Sequence, residues 1–294
     1  MASHGSNAAT KALLIKVDPS GKGDYRKIQD AIDAVPSNNK QVVLISVKPG
    51  IYEEKIIVPA NKPFITISGS NPNDTVITWN DSGNIFESPT FSVLASDFVA
   101  QYLTIQNTYG VGAKAVALRV SGDRVAFFGC RILSYQDTLL DDTGRHYYSN
   151  CYIEGAVDFI YASITAQHRD SPSQNTGFTF LGCKITGIKT ALLGRAWGPY
   201  SRVIFAFTYM SNVILPQGWD DCGDSSKQRE YKCYGPGAST KKRVEWAKEL
   251  TIEEANPFLT KNMIGGKSWI TSTTYRFTKL SSNAISRNNT RHHA

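Results

Sequence analysis

Four stretches of this chain are versions of one another: Val99 to Ile105 (VAQYLTI), Val125 to Ile132 (VAFFGCRI), Tyr147 to Ile153 (YYSNCYI) and Phe178 to Ile185 (FTFLGCKI). A short β-branched and aromatic segment cannot bury its apolar side alone. Stacking successive copies closes a core, so the repetition argues for a solenoid. Aligned on Leu103, Cys130, Cys151 and Cys183, the copies lie 27, 21 and 32 residues apart. The first two spacings suit one coil of a parallel β-helix, whereas the third is too long for one coil and too short for two. The expectation is an all-β chain in which each repeat is one strand and the Cys, Ile and aromatic positions line the interior.

Further strands are expected at VVLISV from Val42, FITISG from Phe64, TVITW from Thr75, FSVLA from Phe91, AVALRV from Ala115 and RVIFAF from Arg202, separated by Gly, Asn, Asp and Ser. One short N-terminal helix is expected, because Tyr25, Ile28, Ile32 and Val35 recur at helical spacing before Pro36. Residues 1–10 read as a disordered leader, 11–274 as one domain, and 275–294, rich in Ser, Asn, Arg and His, as a disordered basic tail. The chain opens with no basic stretch followed by an apolar run, and no run has membrane-spanning length, so neither a signal peptide nor a membrane contact is read.

Charge narrows the partner. The 294 residues carry 32 Lys and Arg against 25 Asp and Glu, a net charge of +7 that favours a polyanion. No basic tail, helix-turn-helix, zinc finger or RNA-binding signature accompanies it, so nucleic acid is not the expected polyanion. The five cysteines are odd in number and too few for a disulfide framework, and they read as buried packing residues.

Two acidic centres carry the candidate chemistry. Asp137 follows Gln136 in SYQDTLLDD, and Asp158 sits among apolar residues in GAVDFIYASIT, 21 residues on. That separation matches one coil, so the two carboxylates are expected as stacked neighbours with Gln136 beside them. A close carboxylate pair divides the roles of proton donor and nucleophile, because one ionised group raises the pKa of the other. Taken singly, Asp137 reads equally as a turn residue bonded to its own backbone. Downstream, LGRAWGPYSR offers Arg195 to orient a carboxylate and Trp197 as a flat platform, against the plainer readings of a surface Arg and a core Trp. There is no Gly-x-Ser-x-Gly elbow, glycine-rich phosphate loop, Cys-x-x-Cys or His-x-x-x-His, and only His146 and His168 lie outside the termini. Serine hydrolase, metal and nucleotide chemistry are therefore poorly supplied.

Five segments occur together in order: GIYEEKI at Gly50, KAVALRV at Lys114, YQDTLL at Tyr135, VDFIY at Val157 and LGRAW at Leu193. In these the chain resembles the plant pectin methylesterase (pectinesterase) family, over about Leu14 to Ile270. The resemblance implies a single-stranded right-handed parallel β-helix of the pectin lyase-like type that hydrolyses the methyl esters of polygalacturonate and releases methanol, without metal or organic cofactor. It implies Asp158 as nucleophile, Asp137 as general acid and then base, Gln136 as oxyanion donor and Arg195 as the partner that holds Asp158 ionised. Thr90, Lys114, Tyr161 and Trp197 would bind substrate. Pectin is then the expected partner, with a proteinaceous pectinesterase inhibitor as a second, the chain a monomer and the location the cell wall after secretion.

The chain departs from the family at several places. Lys114 stands where the family usually has Gln, which is expected to alter pH or pattern preference rather than abolish activity, and Ala196 stands where Pro is commoner. After Tyr161 about one coil is missing, and a shorter gap falls between Gln228 and Tyr231. Two rival readings stay open: a pectin-binding paralogue that lost turnover through the deletion, and another β-helix enzyme such as a polygalacturonase or pectate lyase. The latter needs a different carboxylate set or a calcium site.

Overall fold

Each repeat turns out to be two short strands joined by a two-residue bend, not one strand. The computed structural model describes residues 10–156, 164–174, 176–187, 189–220, 227–270 and 275–279. Val99–Gln101 and Thr104–Asn107 flank Tyr102, Val125–Phe128 and Arg131–Leu133 flank Gly129, His146–Ser149 and Tyr152–Glu154 flank Asn150, and Phe178–Leu181 and Lys184–Ile185 flank Gly182. The first residue of every bend is left-handed, with φ of 53°, 59°, 53° and 62°. Phe207 and Lys232 hold the same place farther on, at 49° and 46°. Gly and Asn adopt this conformation readily, whereas each bulkier residue costs about 1–2 kcal/mol. Three of the six bend positions accept that cost, so the bend is imposed by stacking.

The chain divides into two units, Met1–Glu154 with Trp269–Ala294, and Gly155–Ser268. In the first unit every strand pairing is parallel and forms three sheets. One sheet runs His146–Ser149, Val125–Phe128, Val99–Gln101, Ile65–Ser68, Val42–Val47, Thr10–Val17 and Tyr275–Lys279. The second holds Leu139–Asp141, Leu118–Val120, Phe91–Val93 and Ile56–Val58; the third holds Tyr152–Glu154, Arg131–Leu133, Thr104–Asn107, Thr75–Trp79 and Gly50–Glu53. Register reproduces the spacings: Val99 pairs with Ala126, and Val125 with His146. Alternation sets which side is buried, as in Val42–Val47, where Val43, Ile45 and Val47 point inward. Inside, Phe91, Phe98, Phe127 and Tyr148 form a ladder with centroid separations of 6.0, 6.3 and 5.2 Å. Coils touch closely at Gly122, where an added Cβ would lie 1.9 Å from the Ala95 carbonyl oxygen.

The bend is two residues long in the four repeats and six, residues 69–74, between Ile65–Ser68 and Thr75–Trp79; the connectors that follow the third sheet vary more widely. They comprise residues 54–55, 80–90, 108–117 and 134–138 in successive coils.

The tail expectation needs correction at one place. Residues 275–279 are a strand that pairs in parallel with Thr10–Val17 and closes that end of the sheet. An edge of unpaired backbone groups beside Thr10–Val17 outweighs the polar composition around it. The N-terminal helix is Ile28–Asp33, shorter than the apolar spacing suggested. Its N-terminus is capped from the next strands by Glu54, whose two carboxylate oxygens accept the Ile28 and Gln29 N–H groups at 3.0 Å each. That gives the second Glu of GIYEEKI a structural task.

In the second unit the sheets are Ala166–Gln167, Gly194–Ala196 and Trp219–Asp220; Phe178–Leu181, Arg202–Ala206, Lys227–Tyr231 and Lys248–Glu249; and Lys184–Ile185 with Tyr209–Met210. Its core gathers Leu193, Val203, Phe205, Met210 and Trp219, with Phe180 stacked on Phe205 at 4.5 Å. A buried ion pair closes one side: Arg243 Nε donates to Glu230 Oε1 at 2.7 Å and Nη2 to Oε2 at 3.1 Å. Among the described residues no helix is long and apolar enough to cross a membrane.

Candidate active site

The first unit carries four of the expected site residues. Leu139–Asp141 is a strand, and the connector before it, 134–138, is tied to the preceding coil: Ala115 N–H donates to Gln136 O at 3.2 Å and Ala117 N–H to Thr138 O at 3.1 Å. Thr138 is fully buried and its hydroxyl donates to Glu154 O at 3.0 Å. Between these anchors Asp137 takes φ 58° and is only 5% exposed. A buried carboxylate in a left-handed conformation suits a side chain aimed by its backbone rather than a surface turn. Gln136 is half-buried beside it.

Lys114 is exposed and immediately precedes Ala115, whose N–H binds Gln136. The amide at 136 and the ammonium at 114 thus sit on hydrogen-bonded neighbouring coils. Thr90 is fully buried; its N–H donates to Val116 O at 3.1 Å and its hydroxyl to Gln106 O at 3.0 Å.

The two strands after this connector carry a polar cluster that the sequence did not disclose. His146 Nδ1 lies 2.6 Å from Asp141 Oδ1 and its Nε2 2.8 Å from Gly122 O, while the Tyr148 hydroxyl donates to Asp141 Oδ2 at 3.0 Å. With an acceptor on each ring nitrogen, only the imidazolium satisfies both contacts. Burial alone pushes its pKa down, but the Asp141 charge and the bonds to Asp141 and Gly122 outweigh it, and the pKa is raised. A raised folded-state pKa adds stability that is fully present below the unfolded value of ~6.5 and is lost as pH rises through the folded value. The melting temperature of wild type should therefore exceed that of His146→Asn most at acidic pH. The underlying stability difference, about 2 kcal/mol for a buried charged hydrogen bond, should vanish on going alkaline. A pH-independent gap would contradict this.

The second unit carries Arg195 and Trp197. Gly194–Ala196 pairs with Ala166–Gln167 on one side and Trp219–Asp220 on the other. The glycine of LGRAW permits that approach, since a Cβ at Gly194 would meet Thr165 Oγ1 at 2.1 Å. Arg195 is in register with Asp220, and Nε lies 3.2 Å from Asp220 Oδ2. Trp197 is 49% exposed, available as a platform, while Trp219 is buried against Phe205. Sequence reading missed Asp220; its one signal was the acidic run in GWDDCGD, which has no periodic pattern. Asp158 and Tyr161 lie outside the described residues. Among the described residues no group of three His, Cys, Asp or Glu side chains could hold a metal ion.

Comparison with known proteins places this arrangement. The Pectinesterase family profile matches residues 14–163 and 161–267. The chain is 54% identical over 285 residues to the Arabidopsis thaliana chain numbered 11 in that plant's pectinesterase series, covering 88% of this chain and 81% of the relative. The solved pectin methylesterase from carrot superposes with a TM-score of 0.84 at 33% identity, covering 95% of this chain and 99% of that one. The Aspergillus niger pectin methylesterase gives 0.77 at 29% identity, covering 89% and 97%. With its stacked parallel coils, its YQDTLL connector and these matches along nearly the whole length, the chain belongs to the pectinesterase family.

Proposed function

We propose that the chain removes methyl esters from polygalacturonate with Asp158 as nucleophile and Asp137 as general acid and base. Family membership carries the reaction, and the observation that carries the residue assignment is Asp137: buried, left-handed and beside Gln136 in a pinned connector. The Asp158 carboxylate attacks the ester carbonyl, and the oxyanion of the tetrahedral intermediate takes a hydrogen bond from the Gln136 amide. Asp137 protonates the departing methanol. As its conjugate base it then takes a proton from water, which hydrolyses the acyl-enzyme and frees Asp158.

Arg195 keeps Asp158 ionised, shared with Asp220. Trp197 and Tyr161 face the sugar rings, Lys114 adds positive charge near the oxyanion, and Thr90 supports that wall through its bonds to Gln106 and Val116. A net charge of +7 suits a product that gains a carboxylate at each turnover. The workplace that fits this substrate is the cell wall, with the chain acting as a monomer and open to a proteinaceous inhibitor.

The test is methanol release from methyl-esterified pectin, with viscosity followed in parallel. Methanol should appear without loss of viscosity, and Asp158→Asn should abolish it. Chain cleavage would favour a lyase or galacturonase, and binding of folded protein without methanol would favour a paralogue that only binds.

A further inference from the structure

We propose that Cys130 and Cys151 are an oxidisable pair that closes into a disulfide, joining the two ends of the coil that carries Gln136 and Asp137. Arg131 pairs with Tyr152 in parallel register, and Tyr152 N–H donates to Cys130 O at 2.9 Å. The two cysteines precede that pair by one residue each, so they are stacked neighbours separated by about the 4.8 Å of adjacent strands. A disulfide needs Cα atoms roughly 4.4–6.8 Å apart, which this stacking satisfies.

Their thiols are gathered at one place. Cys130 Sγ donates to Phe128 O at 3.5 Å, and Cys151 Sγ reaches back to the preceding coil, 3.5 Å from Phe127 O. The two thiols are close enough to bias one another's ionisation. The remaining described cysteines are not arranged this way: Cys183 and Cys233 hold the same bend position, but the coil that contributes Thr208 lies between them.

The two thiols differ in a way that orders the chemistry. Cys130 is buried, and its pKa is pushed up by the neighbouring Cys151 thiol and by burial. Cys151 is half-buried, and the neighbouring Cys130 thiol lowers its pKa, making it the first to ionise. Its thiolate attacks a disulfide oxidant such as oxidised glutathione, forms a mixed disulfide and displaces one glutathione thiolate. Cys130 then loses its proton and attacks Cys151 sulfur, releasing the second glutathione. Two protein thiols give up two electrons and two protons, and one oxidant disulfide becomes two thiols.

The experiment equilibrates the full chain with reduced or oxidised glutathione, traps free thiols by alkylation and maps peptides without reduction. The oxidised sample should lose two hydrogens in mass and yield a cross-linked peptide containing Cys130 and Cys151. Its melting temperature should rise by about 5 °C over the reduced sample, because the bond constrains the unfolded coil. Cys151→Ser, a change at a half-buried position, should remove both the cross-link and the shift. Recovery of both thiols alkylated from folded, oxidant-treated protein would overturn the proposal. So would a glutathione adduct that persists on Cys151, or a cross-link involving Cys183, Cys222 or Cys233 instead.

Discussion

Asp137→Asn is expected to lower methanol release from esterified pectin by about 10²–10⁴-fold, the range of a lost general acid, with little change in KM or melting temperature. Asparagine is the informative substitution because two properties of this position must be separated. The backbone at 137 has φ 58°, which Asp and Asn tolerate and most side chains do not. Asn keeps the shape and the left-handed preference while removing the proton that methanol must collect. Ala at the same place would confound the loss of acid with backbone strain. A substrate ester with a more acidic leaving alcohol should recover part of the lost rate in Asp137→Asn, since such a group departs with less protonation. If methyl and activated esters were slowed equally, the role assigned to Asp137 would be wrong.

Arg243→Ala is expected to destabilise the chain by about 3–5 kcal/mol, the cost of leaving one partner of a buried pair alone. Both side chains of the Arg243–Glu230 pair are 4% exposed. Arg243 also satisfies carbonyls that no strand reaches, donating to Gly237 O at 2.8 Å and Pro216 O at 3.0 Å. Truncation therefore strands a carboxylate and two acceptors together. For a chain of this size the melting temperature should fall by roughly 10 °C. Changing Arg243→Met together with Glu230→Leu should cost less than Arg243→Ala alone, because no charge is then left buried. Equal stability of wild type and Arg243→Ala would show that water reaches the pair.

The coil repeat was legible because stacking demands chemically alike residues at alike places, and Leu103, Cys130, Cys151 and Cys183 supplied them. The bends were not. At Tyr102 and Phe207 the apolar pattern runs straight through a left-handed residue, and nothing local marks it. Polar composition concealed the strand at 275–279, whose reason to form lies at Thr10–Val17, far away in sequence. Asp137 and Gln136 could be named from their motif. The Arg195–Asp220 and His146–Asp141 contacts could not, since each depends on which residues the coils bring into register.

The difference between the short bends and the more variable connectors bears on how such a chain can be remodelled. The bends are two residues long in the four repeats and reach six, residues 69–74, in one coil, whereas the connectors range from 54–55 to 80–90. Gln136 and Asp137 occupy one of these connectors, 134–138, and Lys114 another, 108–117. Loop grafts of unequal length are therefore expected to be accepted in the connectors while the strand register stays put. The bends vary less, the longest among the described residues being 69–74. Protein engineering aimed at new substrates should begin with those connectors.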